Sequence, residues 1–266
     1  MPTTTFMRNC LTSPMILFDC ISSVQLIDET MLEIGRDFRA IDDDSDLTAY
    51  SKLTNALCLD IQAGRFGSDS RLKIRDLAAR YGVSPSPVRE ALQVLHGIGL
   101  VEIDPNKGAR IRDLTPAEID QACQINQALE SFAARELAAS ASPHQIRVLR
   151  EIDGRHQQAY RDGDVERLAS AGSDFHFTIY RFIRNPFVLR TAIVHTTLAF
   201  VNRREVGFSQ ARLDAICLEH TGILDAIEDR DPDRAARLAF EHARSCTDDL
   251  VDRVAHRARA ARPAGP

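Results

Sequence analysis

The feature that most constrains the fold is the order of local signals between residues 47 and 114. Three segments there carry apolar residues at helical spacing, and two short stretches typical of β-strands follow them. The first helical segment ends at Gly64, and its apolar face is formed by Leu47, Tyr50, Leu53, Leu57 and Ile61. Three helices followed by two strands predict a small domain that is distinct from the rest of the chain.

The second and third helical segments are joined by a tight turn. The second covers residues 74–81, Gly82 ends it, and Ser84 is an N-cap residue for the third. The strands cover residues 100–103 and 109–111, and the intervening Asp104-Pro105-Asn106-Lys107-Gly108 is typical of a turn. This is the order of a winged helix-turn-helix, in which the third helix enters the major groove of DNA.

The candidate DNA contacts follow from where this motif meets the duplex. A helix N-terminus offers unpaired N–H groups to phosphate, and a guanidinium can bind guanine or phosphate through two hydrogen bonds. Arg89, near the start of the third helix, is therefore the strongest candidate for direct contact. The full set expected to contact DNA is Arg75, Ser84, Ser86 and Arg89 in the helices, with Lys107 and Gly108 at the wing tip.

The charge distribution agrees with this assignment. The formal net charge of the 266 residues is −5, a total that by itself argues against nucleic acid as a partner. Residues 47–114, however, contain ten Lys and Arg against seven Asp and Glu, whereas residues 1–46 carry −6 and residues 115–266 carry −2. The one basic segment is the segment whose pattern indicates DNA binding.

The first 46 residues have no sustained apolar period and end in the acidic run Asp42-Asp43-Asp44-Ser45-Asp46. Such a run repels itself, so residues 1–46 are predicted to be a flexible acidic extension. A short helix over about residues 24–38, and a role for the acidic arm in tuning DNA binding, remain open.

After residue 114 the strand signals disappear and helix start signals replace them. Thr115-Pro116-Ala117-Glu118 and Ser142-Pro143-His144-Gln145 each match a capping box with Pro at the first helical position. Six helices are predicted, over residues 116–140, 143–161, 165–184, 186–205, 209–229 and 232–258. The predicted fold class is mainly α: an N-terminal winged helix-turn-helix domain (47–114), a C-terminal six-helix antiparallel bundle (115–258) and a flexible tail (259–266).

Composition argues against several other classes of protein. No run approaches the ~20 apolar residues of a membrane helix, so no membrane partner is expected. The six cysteines are scattered and include no CxxC pair. That pattern argues against a disulfide framework or a structural zinc site. It favours buried, reduced thiols in a protein of the reducing cytoplasm.

The stretch LAARYGVSPSPVREAL, from Leu77 to Leu92, is carried on by Gly99-Leu100-Val101 and Pro105-Asn106-Lys107-Gly108. Together they resemble the signature of the GntR family of bacterial transcriptional regulators. The resemblance covers residues 47–114 almost without interruption and implies binding to a double-stranded DNA operator. Pro85 stands where the family commonly has an Arg that reads the operator, so the usual operator preference is not implied here.

The helical segment resembles the FCD sensor domain of the FadR subgroup, in its shorter VanR-like form, over about residues 115–250. The residues that carry the resemblance are Leu129-Glu130, Ala133-Ala134, Phe175-His176, Asn185-Pro186, Glu219-His220, Ala226-Ile227, Ala235-Ala236 and His242. It implies a homodimer whose bundle binds a small-molecule effector, with organic acids as the familiar class.

The same resemblance implies a metal site. In that family three histidines and an acidic residue commonly hold a divalent metal inside the bundle, and His176, His220 and His242 match the histidines. Zn, Ni and Mn are the candidate ions. The acidic position, one helical turn before His176, is Gly172, and Asp174 lies roughly on the opposite face of the helix. Water, an effector carboxylate or nothing could take the fourth position.

Asn126 is a second departure, because relatives often have an Arg four residues before the Glu of Leu129-Glu130. An Arg would pair with an organic acid, whereas Asn offers hydrogen bonds without charge, which favours an uncharged effector or one held in a different way. The residues expected at the effector are Asn126, His176, His220 and His242.

Taken together, the sequence predicts a cytoplasmic, homodimeric, ligand-responsive transcriptional regulator that binds an inverted-repeat operator. Because most regulators of this family are repressors, the resemblance implies a repressor. Two alternatives stay open: a regulator for which the metal ion is itself the signal, and a metal-dependent enzyme built on the three histidines. No nucleophile motif or acid/base partner supports the enzyme, and no catalytic residue is assigned.

Overall fold

Three helices and three short strands form the N-terminal part of the described chain. The computed structural model describes residues 49–62, 64–66, 71–104 and 108–260. The elements are α1 (Ala49–Gln62), β1 (Arg71–Leu72), α2 (Ile74–Tyr81), α3 (Pro85–Gly97), β2 (Val101–Asp104) and β3 (Gly108–Ile111). The acidic extension, the helix considered over residues 24–38, and Lys107 all lie outside the described residues.

The wing is a three-stranded antiparallel sheet in which β3 lies between β1 and β2. Strands β2 and β3 fall within one residue of the predicted strands. The expectation of a two-stranded ribbon is wrong, because Arg71 and Leu72 of β1 pair with Arg110 and Ala109 of β3. A strand of two residues is too short to carry a detectable period, and only its pairing with β3 defines it.

The apolar faces predicted for the three helices are the buried faces. The buried residues are Leu53, Leu57 and Ile61 of α1, Leu77 and Ala78 of α2, and Val88, Ala91, Leu92 and Leu95 of α3. The N-terminal core therefore follows from helical spacing alone.

A buried carboxylate fixes α2 against α1. Asp60 of α1 is 6% exposed and accepts hydrogen bonds from Arg80 Nε at 3.0 Å and from Tyr81 Oη at 2.6 Å. Because both donors lie in the last turn of α2, the pair of helices that precedes α3 is held by charge as well as by apolar packing.

Six helices make up the rest of the described chain: α4 (Pro116–Ser140), α5 (Pro143–Asp162), α6 (Val165–Phe182), α7 (Pro186–Val206), α8 (Gln210–Glu228) and α9 (Pro232–Ala260). Their ends agree with the prediction to within two residues. Both capping boxes are formed, with the hydroxyls of Thr115 and Ser142 accepting from the N–H groups of Glu118 and Gln145. The predicted fold class is confirmed.

The interior of the bundle combines large apolar side chains with buried polar ones. Helix α9 packs along α4, and α5 packs against both α6 and α8. Phe175 and Tyr180 are fully buried, but so are His156, His220 and His242. Burying polar groups costs free energy unless they find partners, so this cluster marks the part of the bundle where function is to be sought.

Residues 53–266 form one compact unit, which contains the contacts of the wing, of Asp60 and of the bundle. None of the described helices has the length and apolarity needed to cross a bilayer. The four cysteines among the described residues, Cys58, Cys123, Cys217 and Cys246, are free thiols.

Gly108, at the start of β3, allows β1 to approach. Its φ is +94°, and a Cβ there would stand 2.5 Å from the carbonyl oxygen of Leu72. We expect Gly108→Ala to destabilise the domain by about 1–3 kcal/mol from the backbone conformation alone, with the contact against β1 adding to that loss. Urea unfolding measures the change.

The matched control is Gly82→Ala. Gly82 also has a positive φ, +65°, but among the described residues nothing lies within 4 Å of the Cβ it would gain. Gly82→Ala should therefore lose only the stability that the strained backbone conformation costs, with no added loss from a steric contact. Equal losses in the two variants would mean that the contact between β1 and residue 108 contributes nothing.

Candidate DNA interface and metal centre

The N-terminal turns of α3 present the predicted DNA-contact residues to solvent. Val88 is fully buried and anchors the helix, whereas Ser84, Ser86 and Arg89 are exposed. The Ser86 hydroxyl donates to Glu90 Oε1 at 3.3 Å on the same surface. One face of α3 therefore holds the helix in the core while the other carries polar groups outward.

The backbone at this helix start has few hydrogen-bond donors. Ser84 is the N-cap residue, as predicted, but its side chain makes no capping hydrogen bond. Pro85 and Pro87 have no N–H, so the donors left in the first turn are the N–H groups of Ser86 and Val88. These two groups are what the helix start can offer to a phosphate.

The other predicted contacts are distributed over α2 and the wing. The Arg75 side chain, on α2, is 97% exposed and lies 3.8 Å from the Asp76 carboxylate. Gly108 is explained by its packing against β1, so the structure gives it a role in the wing that is independent of DNA. Arg110 of β3, which the sequence reading did not single out, pairs with Glu102 of β2 at 2.5 Å.

The structure brings the three predicted histidines together in the bundle. His176 comes from α6, His220 from α8 and His242 from α9, and every pair of their Nε2 atoms is 3.2 Å apart. His220 and His242 are 1% and 2% exposed. Among the described residues, these three are the group whose side chains could hold a metal ion.

Carboxylates on the far side of two of these rings fix their orientation. Glu219 Oε2 lies 2.7 Å from His242 Nδ1, and Glu130 Oε2 lies 3.3 Å from His176 Nδ1. The Arg212 guanidinium in turn donates two hydrogen bonds to Glu219. An Nδ1–H that faces a carboxylate leaves the Nε2 lone pair free, which is the usual arrangement behind a metal-binding histidine.

The protonation of the rings follows from burial and from neighbouring charge. Burial lowers the pKa of His176 and His220 well below 6.5, and the charge on His242 lowers it further. Burial also acts to lower the pKa of His242, but Cys246, Glu219 and Glu130 outweigh it and raise that pKa to about 10. A proton on His242 Nε2 and a metal ion would occupy the same position, so binding of an ion there displaces a proton.

The donor set fits a divalent cation. Three nitrogen ligands at about 2.0–2.1 Å from a tetrahedral ion would be separated by about 3.3 Å, close to the 3.2 Å found for the three Nε2 atoms. Imidazole suits zinc and nickel among the common transition metals. His176, His220 and His242 would hold the ion, with Glu219 and Glu130 orienting two of them.

A fourth histidine, next to the three of this site, was not predicted. His156 of α5 is fully buried, and its ring centroid lies 4.6 Å from that of His220. A signal was present in the sequence, because His156 occupies the inward register set by Leu149, Ile152 and Ala159. Asp174, two residues before His176, pairs with Arg155 at 3.2 Å.

Asn126 reaches the histidines through Glu130. Its Nδ2 donates to Glu130 Oε1 at 2.9 Å, and Glu130 faces His176. Burial raises the pKa of Glu130 to about 7, against the opposing effects of His242 and Asn126. Beside them lies a cavity of about 10 Å³, lined by Glu130, His176, Tyr180 and apolar side chains of α4, α6, α8 and α9. Its free volume is enough for about one water molecule.

Comparison with known proteins gives the family. Residues 49–111 match the model for bacterial regulatory proteins, gntR family, and residues 121–245 match the FCD domain. A probable D-xylose utilization operon transcriptional repressor of Paenarthrobacter nicotinovorans is 30% identical over 200 residues, covering 73% of this chain and 85% of that protein. The transcriptional repressor NanR of Klebsiella aerogenes is 28% identical over 209 residues, covering 70% and 78%.

A solved structure agrees at the level of the fold. E. coli McbR/YncC matches with a TM-score of 0.64 and 21% identity, over 77% of this chain and 99% of that one. Because both domain models match in the expected order, and a relative 30% identical is covered over most of its length, the chain belongs to the GntR family of bacterial transcriptional regulators, in the FadR-like subgroup that carries an FCD domain.

Proposed function

We propose that this DNA-binding regulator is a homodimeric, ligand-responsive repressor that binds an inverted-repeat operator and holds a divalent metal in its helical domain. The observation that carries the proposal is the set of three imidazole nitrogens, each pair 3.2 Å apart, in the interior of the bundle. Nitrogen lone pairs at this spacing repel one another unless a proton or a cation lies between them.

The effector site is proposed around the same histidines. Glu130 and Tyr180 line the adjoining cavity, and Asn126 hydrogen-bonds to Glu130. The Tyr180 hydroxyl is buried without a hydrogen-bond partner among the described residues. An unpaired buried hydroxyl costs about 1–3 kcal/mol, so a polar ligand that pairs with it would recover part of this cost.

A signal in the bundle could reach the DNA-reading domain through a direct contact. Gln62, in the last turn of α1, donates from Nε2 to the Ile193 carbonyl oxygen at 3.2 Å and to Thr197 Oγ1 at 2.5 Å, both on α7. A shift of α7 would therefore move α1. Such a switch requires the effector to bind one of the two arrangements more tightly than the other.

The second candidate function is a metal-responsive regulator, in which the ion is the signal. The size of the cavity favours it, because about 10 Å³ is far below the roughly 300–1,000 Å³ of a small-molecule pocket. The enzyme alternative is set aside, because the family and its named relatives are transcriptional regulators.

Footprinting on the promoter of the regulator's own operon tests the mode of binding. We expect two inverted half-sites protected together and two chains bound per duplex, since the two-fold axis of a dimer imposes the same axis on the operator. A single asymmetric half-site bound by one chain would contradict the dimer.

Arg89→Ala should weaken operator binding by about 1–3 kcal/mol and relax preference at one base pair if Arg89 reads a base. Lys107→Ala should instead weaken binding to all DNA sequences alike and reduce the salt dependence of the affinity. Fluorescence anisotropy against the operator and a scrambled duplex at several salt concentrations measures both effects. Arg237→Ala is the control, because Arg237 is an exposed Arg on α9. Normal operator affinity in Arg89→Ala would show that the recognition surface lies elsewhere.

Zinc should stabilise the full chain against heat, because an ion held by three helices favours the folded state by linkage. At a free ion concentration 100 times Kd the gain is about 2.7 kcal/mol, or several degrees in Tm for a domain of this size. Elemental analysis and melts with zinc, nickel, manganese or a chelator measure it.

His220→Ala should abolish the metal-dependent shift. His195→Ala should keep it, because His195 is a partly buried histidine of α7 that is not one of the three converging residues. A wild-type protein that purifies without metal and shows no shift with any of the three ions would eliminate the metal site. The DNA-binding conclusion would be unaffected.

A further inference from the structure

The family position for an acidic metal ligand falls on Gly172, and a buried imidazole from a different helix faces it. We propose that His156 of α5 takes the place of that acidic residue, so that four imidazoles from α5, α6, α8 and α9 hold the ion. The inference rests on the proposed metal site and assigns its fourth protein ligand.

The space next to Gly172 adjoins both His156 and His220. A Cβ at residue 172 would lie 3.5 Å from His156 Nε2 and 3.6 Å from His220 Cε1. An acidic side chain at residue 172 would extend through this same space toward the ion. Because Gly172 has no side chain, the edge of the His156 ring can face the region that an acidic side chain would otherwise occupy.

His156 has an unused donor or acceptor atom in that direction. The side chain is 0% exposed, and its Nε2 has no hydrogen-bond partner among the described residues. The other ring nitrogen, Nδ1, lies 3.5 Å from Cys217 Sγ. A buried polar atom without a partner is costly, and a ligand that pairs with it removes that cost.

To bind the same ion, His156 has to move toward the three converging histidines. The ligand atoms of His176, His220 and His242 lie within 4.8 Å of one another, and His156 stands just outside this group, with its ring centroid 4.6 Å from that of His220. In the proposed four-histidine site, the His156 side chain would rotate so that Nε2 approaches the ion through the space next to Gly172. A carboxylate at residue 172 would block that movement, so the two ligands are alternatives.

Cys246 is the competing candidate for the fourth position. Its Sγ lies 3.8 Å from His242 Nε2. The side chain also packs against the apolar cluster that contains Leu213 and Ile216, however, whereas the free nitrogen of His156 faces Gly172. We therefore favour the imidazole, and the two ligands differ in their spectroscopic signatures.

The experiment is a Co²⁺ and Zn²⁺ titration of the full-length chain in four forms: wild type, His156→Ala, His156→Ala/Gly172→Asp and His156→Ala/Gly172→Ala. We expect His156→Ala to lower metal affinity by at least about 10-fold and to weaken the visible bands of the Co²⁺ form. The added Asp should restore most of the affinity, whereas the added Ala fills similar space without a ligand and should not.

If Asp at residue 172 restores the metal affinity of His156→Ala and Ala at residue 172 does not, then the His156 ring acts as a ligand rather than only as a packing group. In the wild-type background Gly172→Asp should tighten binding less than it does in His156→Ala, because the two side chains compete for one position. The apo forms of the variants should be compared by their melts, so that the metal-dependent shift is read separately from any cavity left by the ring.

Two results would overturn the inference. The first is unchanged Zn²⁺ affinity and an unchanged Co²⁺ spectrum in His156→Ala. The second is an intense near-ultraviolet thiolate charge-transfer band in the wild-type Co²⁺ form that is lost in Cys246→Ser, since it would make Cys246 the fourth ligand. In either case the wild type still binds metal and the proposed site stands; failure of the wild type to bind at all would instead overturn the site itself.

Discussion

The convergence of three imidazole nitrogens inside the bundle is the constraint on which the rest of the helical domain depends. His176, His220 and His242 lie on three helices, and each pair of Nε2 atoms is 3.2 Å apart where an apolar core would otherwise be expected. Bare lone pairs at that distance repel, so a positive charge between them, either a proton or the proposed metal ion, would stabilise this arrangement of α6, α8 and α9. In the proposed regulator, binding of an ion would then be coupled to the packing of these three helices.

The carboxylates around the histidines adjust the charge of the site. Glu219 is already compensated by Arg212, so it orients His242 without adding a free negative charge. Among the described residues no guanidinium pairs with Glu130, and burial raises its pKa to about 7. A divalent cation nearby would favour its ionised form, so the charge of Glu130 would depend on whether the proposed ion is bound.

In the DNA-reading domain, the buried and the exposed faces of α3 have separate roles. Val88 and the rest of the buried face of α3 hold the helix in the core, so the exposed Ser84, Ser86 and Arg89 are presented by a rigid element. Pro85 and Pro87 remove backbone donors from the helix start, which leaves more of the contact to side chains. Gln62 links α1 of this domain to α7 of the bundle through two hydrogen bonds.

The sequence by itself determined the local structure and the family: the buried faces of α1, α2 and α3, the six bundle helices to within two residues, both capping boxes and the three matching histidines. These follow from spacing and capping, which act over a few residues. Only the tertiary structure decided the pairing of β1 with β3, the packing of Gly108 on Leu72, the carboxylates behind the histidines and the position of His156 above Gly172. Each of these joins residues distant in the chain, and their contact depends on how whole elements pack, for which a single sequence has no periodic signal.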